Sequence, residues 1–302
     1  MTNETQKSLL VGDNPFHGIS HLSQERARAR CDELVIPAEK AADIISTSLK
    51  NGANGFMFSV SDLTLSTLKI MQNRDYFEQM KLYAIVPYAF EYVRVATQAG
   101  IPGLAKRFAK QLVVSGNVGA ILSGVSALFK QNPSGLLKTY LAYEILRIKS
   151  ATGKKARLSS ILLHELVTDM CLGLNLDWLF KSYISYLSKR KITPGFNTRN
   201  FPYLVKKFSE WNIDLNQTVI ATQFNKAGFQ MNPSKEECEK TLSSPTSPIV
   251  LAISVLAAGY LKPLEALDYI AGLRNLKGVV AGVSTEQQAR ELFQLFKTRL
   301  HD

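Results

Sequence analysis

Two histidines four residues apart, His17 and His21, lie in the stretch GDNPFHGISHLSQE (12–25), although the whole chain has only four histidines. Asp13 stands at the start of the same stretch, and His164 followed by Glu165 closes the apolar run LSSILLH much further on. Imidazole and carboxylate together suit zinc or iron, so one reading makes Asp13, His17, His21 and His164 ligands of a divalent metal, with Glu165 as base or further ligand. The other reading makes Asp13 and Asn14 an Asx-turn before Pro15, with the histidines hydrogen-bonded to loop backbone. Pro15 and Gly18 oppose a helix here, so the four-residue spacing does not by itself put both rings on one helical face. Without any metal, His17, His164 and Glu165 remain candidates to position or protonate a substrate.

Two further features have chemical potential. Lys226, in TQFNKAGFQMNP, would be a Schiff-base nucleophile if desolvated at a strand end, although lysines in such loops are usually solvated. Gly259 in LAAGYL, and Gly282 with Ser284 in AGVSTEQ, would let backbone amides approach a phosphate of substrate or cofactor at a helix start. The plainer reading of these glycines is that they permit tight turns.

The elements that must position these groups alternate along the whole chain. Strands are expected at 8–11, 55–60, 81–86, 158–164, 191–196, 218–224, 248–254 and 276–283, most of them rich in Val, Ile, Leu and Phe without strict alternation, as in strands buried on both faces. Helical patterns lie between them, with a stop at Asn51-Gly52 and a capping-box start in Ser284-Thr285-Glu286-Gln287. Eight such units predict an α/β fold, a (β/α)8 TIM barrel formed as one domain over residues 1–302. A doubly wound sheet is the alternative, but VGDNPFHG is not its Gly-rich dinucleotide turn. About 70 residues separate strands three and four, so a helical insertion over 88–157, broken at Pro102, Gly116, Pro133 and Gly153, is expected as a lid on the barrel mouth. Asp13, His17, His21, His164 and Glu165 would then share the C-terminal rim, where such barrels place their sites.

Composition narrows the function classes. The net charge is +11, and residues 88–157 hold 11 Lys/Arg against Glu91 and Glu144, so an anionic partner would meet this insertion. No aromatic-basic motif for nucleic acid is present, and a nucleic-acid partner is not expected. The uncharged run 111–129 is too polar and glycine-rich to span a membrane, but it could lie on a lipid surface or on another subunit of a homo-oligomer. Three scattered cysteines and a polar N-terminus point to a cytoplasmic protein without a disulfide framework.

From Leu158 to Phe296 the chain resembles the aldo-keto reductases. ILLHE resembles that family's fourth strand, ending in His164, and ITPGFNTRNFPYLVKKF its fifth, with Asn197 at the matching asparagine. VIATQFN resembles the sixth strand, with Thr222-Gln223 at the Asn-Gln pair; VLAISVLAAGYL and VVAGVSTEQQARELFQLF resemble the segments after strands seven and eight. The resemblance implies a barrel that reduces carbonyls with a nicotinamide cofactor, using a tyrosine tuned by lysine and aspartate, with the histidine orienting substrate. Strand two here ends FMFSVSD and strand three AIVPYAF, so only the histidine of that tetrad matches. A phenol without its lysine is a poor acid at neutral pH, so reductase activity on simple aldehydes should be weak and a nicotinamide cofactor less expected than a metal. The expected function is an enzyme acting on a small carbonyl- or phosphate-bearing metabolite at the mouth; the alternative is a non-catalytic binding protein with a basic docking insert.

Overall fold

The computed structural model describes residues 7–18, 35–87, 133–153, 155–244 and 248–301. Eight parallel strands close into a barrel in sequence order. They are β1 (Ser8–Gly12), β2 (Gly55–Ser59), β3 (Lys81–Val86), β4 (Arg157–Leu163), β5 (Thr193–Asn197), β6 (Val219–Gln223), β7 (Ile249–Ile253) and β8 (Leu276–Gly282). The β1–β8 ladder, running from Ser8 opposite Gly278 to Gly12 opposite Gly282, seals the cylinder. A doubly wound sheet has open edges and no such pair.

Helices α1 (Ala38–Lys50), α2 (Asp62–Met71), α3 (Pro133–Thr152), α4 (Glu165–Gly173), α5 (Asp177–Ser188), α6 (Phe201–Glu210), α7 (Lys235–Leu242), α8 (Pro263–Ala271) and α9 (Glu286–His301) are the α-helices among the described residues. Their starts follow ordinary capping chemistry. The Ser61 hydroxyl accepts the Thr64 N–H, Asn200 accepts that of Tyr203, and Ser234 that of Glu237. At α9 the cap falls one residue later than the sequence suggests, with Thr285 Oγ1 accepting the Gln288 N–H.

Within the range expected for the insertion, residues 88–132 and 154 lie outside the described residues, as does most of the basic cluster. The described part is α3, bounded by Pro133 and Gly153, together with residues 155–157, which lead into β4; α3 lies between α2 and α5. Gln72 Nε2 donates to the Ala151 carbonyl at 2.7 Å on one side, and Ser134 and Ser182 share a hydroxyl hydrogen bond at 3.1 Å on the other. No helix among the described residues is long and apolar enough to cross a membrane.

The strands read as continuous apolar runs because both of their faces are buried. Outward residues such as Leu9, Phe56, Ile161 and Phe196 join the main core between sheet and helices, where Phe196 meets the rings of Phe180, Tyr183 and Phe208. Inward residues form a second cluster that includes Leu10, Met57, Tyr83, Leu162, Ala221, Leu251 and Val280. Three glycines make room for this interior. A Cβ at Gly55, Gly195 or Gly278 would come within 2.6 Å of Leu10, 2.5 Å of Leu162 and 2.8 Å of Leu251, respectively. Leucine on one strand thus fills the space that glycine leaves on a neighbour, and the barrel is packed below its mouth.

Candidate functional site

Side chains alternate along a strand, so the inward face can be followed up to the mouth. On β6, Val219 and Ala221 face inward, and Gln223 comes next on that face. On β5, Gly195 faces Leu162 of the interior, which puts Asn197 on the same face. Both amides are buried, Gln223 at 2% and Asn197 at 8% exposure. Asn197 Oδ1 and Gln223 Oε1 have no hydrogen-bond partner. Burying an amide carbonyl unpaired costs about 1–3 kcal/mol, so two on adjacent strands of one mouth are expensive unless a ligand completes them.

His164 follows the inward Leu162 by two residues and stands at the start of α4. Its backbone N–H donates to the Val86 carbonyl at 2.8 Å, joining it to the end of β3. Its Nδ1 accepts the Leu166 N–H at 3.2 Å, capping α4 with an imidazole in place of the usual hydroxyl or carboxylate. A ring nitrogen that accepts carries no proton, so the neutral ring keeps its proton on Nε2 as a donor. Burial holds the His164 ring below the ordinary imidazole range; the Glu165 carboxylate opposes this and the Arg199 guanidinium adds to it.

Around His164 the ends of β4 and β5 are joined by charge. Arg199 donates through Nε, at 3.0 Å, and through a terminal nitrogen to Glu165 Oε1. Asp169, one turn along α4, accepts the Thr198 hydroxyl and, at 3.1 Å, the Arg199 N–H. Burial raises the Asp169 carboxyl above the usual range, against the pull of the Thr198 hydroxyl and Arg199 N–H. Glu165 is therefore occupied as an anchor for Arg199.

Asp13 and His17 form a second group three strands away. Asp13 Oδ2 accepts the Ser59 N–H at 2.7 Å and lies 3.1 Å from His17 Nε2. The carboxylate thereby extends the β1–β2 ladder, which in backbone terms reaches Gly12 opposite Met57. With neighbouring strands about 4.8 Å apart around eight strands, the ends of β1 and β4 are roughly 13 Å apart. His17 and His164 thus stand on the same rim, but no interaction joins them. His21 lies outside the described residues. Among the described residues no three His, Cys, Asp or Glu side chains come together as a metal set, and the Asp13 oxygen nearest His17 is already hydrogen-bonded.

Lys226 is separate from both groups. Asn225 closes a turn onto Phe229, with its side chain bonded to both backbone groups of that residue. The turn carries Lys226 outward, where it is 53% exposed and 2.7 Å from Glu265 of α8. It faces solvent and an ion pair, not the interior that a desolvated amine needs. The phosphate cradle also differs from expectation. Gly282 is in contact with Pro15, since a Cβ there would come within 2.8 Å of the proline ring, and the Ser284 N–H already donates to Gln288 Oε1. Gly259 ends a tight 3-10 turn with φ +86°, the left-handed region that glycine adopts most readily.

Asn197 and Gln223 were visible in the sequence only as motif matches; their inward direction depends on register. Asp169, Thr198 and Arg199 carried no signal beyond a polar run after strand five.

The same closed barrel occurs in solved proteins. A Pseudomonas aeruginosa protein assigned to the aldo-keto reductases matches 99% of this chain and 93% of its own at 10% identity, with a TM-score of 0.56. The fold is that of the aldo-keto reductases. An aldo-keto reductase from Bacillus halodurans in its holo form has a TM-score of 0.54 at 12% identity, over 96% of this chain and 86% of its own. An aldo-keto reductase enzyme from a Medee basin deep-sea metagenome library has 0.51 at 11%, over 85% and 80%. No protein-family model and no curated protein matches the sequence. At these identities the likeness is one of architecture, and the mouth of this aldo-keto-reductase-like barrel must be read from its own residues.

Proposed function

We propose that the protein is an oxidoreductase that binds a nicotinamide cofactor in the barrel mouth and acts on a small carbonyl compound beside it. The observation that carries this reading is the pair of buried, unpartnered carbonyl oxygens of Asn197 and Gln223. They require N–H or O–H donors, and a primary carboxamide presents two N–H groups on one nitrogen. Asn197 and Gln223 would hold that carboxamide. Once bound, such a cofactor supplies or accepts a hydride.

His164 supplies the complementary group. Its Nδ1 is occupied by the Leu166 N–H, so Nε2–H is left to donate to a substrate carbonyl or hydroxyl oxygen. A neutral imidazole is a weak acid, so this contact orients and polarises the carbonyl and is not a strong proton source. Arg199 and Asp169 hold the residues on either side: Arg199 pairs with Glu165, next to His164, and Asp169 takes the Thr198 hydroxyl, next to Asn197. The solved barrels named as aldo-keto reductases support the redox class.

The test is calorimetric titration with NADH and NADPH. Wild-type protein should bind one of them, and Asn197→Ala or Gln223→Ala should each weaken binding about 10-fold, the cost of a lost buried hydrogen bond. Equal affinity in all three proteins would refute the reading.

A further inference from the structure

Ser59, the last residue of β2, is held at both of its peptide groups by side chains. Its N–H donates to Asp13 Oδ2 at 2.7 Å, and its carbonyl accepts the Thr64 hydroxyl of α2 at 2.6 Å. Asp13 is 3% exposed and is bonded in turn to His17. Burying a carboxylate opposes folding, and what this one secures is the position of a serine. The serine hydroxyl itself makes no hydrogen bond to any described residue. Met57 faces the barrel interior, so Ser59, two residues on, faces inward at the mouth.

The strand register gives its height. Ser59 is paired through Ile85 with Leu162, and onward through Gly195 with Val219. The ladder thus falls from the end of β2 to the start of β6, because successive strands of such a barrel are staggered by about one residue. Corrected for that stagger, Ser59 stands level with His164 two strands on and with Gln223 four strands on. In the other direction Gly12 lies opposite both Met57 and Gly282, and the same stagger brings Gly282 level with Ser59. Ser59, His164, Gln223 and Gly282 therefore form one layer at the mouth, drawn from alternate strands. At its fourth corner Pro15 occupies the space that a side chain on Gly282 would fill.

We propose that Ser59 binds the substrate, through an oxygen on the carbon next to the carbonyl that His164 contacts, and that the substrates are 2-hydroxy aldehydes or ketones. This rests on the oxidoreductase reading of the same mouth and names its substrate class. Backbone positions two strands apart are roughly 9 Å from each other, and inward-pointing side chains close part of that gap. The remainder suits two hydrogen bonds of about 2.7–3.0 Å joined by oxygens on neighbouring carbons, whereas a lone carbonyl oxygen reaches only one of the two groups. The His164 N–H only donates, which fits a carbonyl oxygen; the Ser59 hydroxyl donates and accepts, which fits a hydroxyl. Asp13 and Thr64 are then positioning residues, since they set where that hydroxyl stands.

The experiment is a saturation-transfer NMR titration of the full chain, alone and with NADP+, using hydroxyacetone and, as the ketone without the second oxygen, acetone. Wild type should bind hydroxyacetone about 5–10-fold more tightly, the contribution of one added hydrogen bond. Ser59→Ala should bring hydroxyacetone down to the affinity of acetone. Because the hydroxyl has no partner within the described residues, the variant should keep the circular dichroism spectrum of the wild type. Asp13→Ala, which releases the Ser59 N–H, should lower the ratio of the two affinities, a quantity that a loss of stability alone does not move. Equal affinity for the two ketones in wild type, or binding of neither, would overturn the proposal, and so would a preference that survives Ser59→Ala. A Ser59-dependent preference in a protein that binds neither NADH nor NADPH would remove the cofactor reading and leave the serine assignment standing.

Discussion

Replacing Gln223 with methionine should make the unliganded protein more stable and its ligand complex weaker. Gln223 is 2% exposed and its Oε1 has no partner, so the folded state bears the desolvation of a carbonyl that water satisfies in the unfolded chain. Methionine has nearly the same shape and removes that penalty, a gain of about 1–3 kcal/mol. For a domain larger than 150–250 residues each kcal/mol moves the melting temperature by roughly 2 °C, so calorimetry should show a rise of about 2–6 °C. The gain should vanish when a saturating ligand is present, because only the wild-type amide can pair with it. Asn197→Leu should behave alike, since leucine replaces the branched asparagine side chain atom for atom. A fall of several degrees in both unliganded variants would mean that the amides are satisfied within the protein, and the argument from unpartnered oxygens would fail.

Three other outcomes follow from the geometry. Burial holds the His164 pKa below 6.5, so between that value and the lowered one the folded state binds fewer protons than the unfolded one. Stability should be full above pH 6.5 and fall as pH drops to the lowered value, where protonation of Nδ1 removes the cap on the Leu166 N–H; His164→Gln should remove that limb of a pH titration. Asp13→Ala leaves the Ser59 N–H without its 2.7 Å acceptor and should cost about 1–3 kcal/mol in a denaturant melt, whereas Asp13→Asn keeps an acceptor and should cost less. Gly195→Ala drives a methyl to within 2.5 Å of Leu162 inside the packed barrel and should destabilise by about 1–3 kcal/mol.

The barrel was legible in the sequence because its strands are buried on both faces and stand out as apolar runs. Each of the eight strand ranges agrees with the structure to within two residues. Helix α4 was not legible. Its Leu166 and Met170 face outward and its cap is a histidine, so neither the usual amphipathic pattern nor the usual capping residue marks it. His164 could be placed on the rim because it ends a strand, but Glu165 could not be seen to pair with Arg199, 34 positions away. Lys226 shows how a turn defeats position alone, since the Asn225–Phe229 hydrogen bonds direct it to the outer surface. In TPGFN and VIATQ nothing in the order of residue types says which of them point inward. The register against Leu162 and Ala221 does.

A crystal structure of the protein grown with NADPH bears most directly on the role assigned to Asn197 and Gln223. The carboxamide nitrogen should lie about 2.7–3.2 Å from Asn197 Oδ1 and Gln223 Oε1, the range of an N–H···O hydrogen bond. A cofactor bound elsewhere, or a mouth in which ordered waters satisfy both oxygens while the cofactor is bound, would contradict the account.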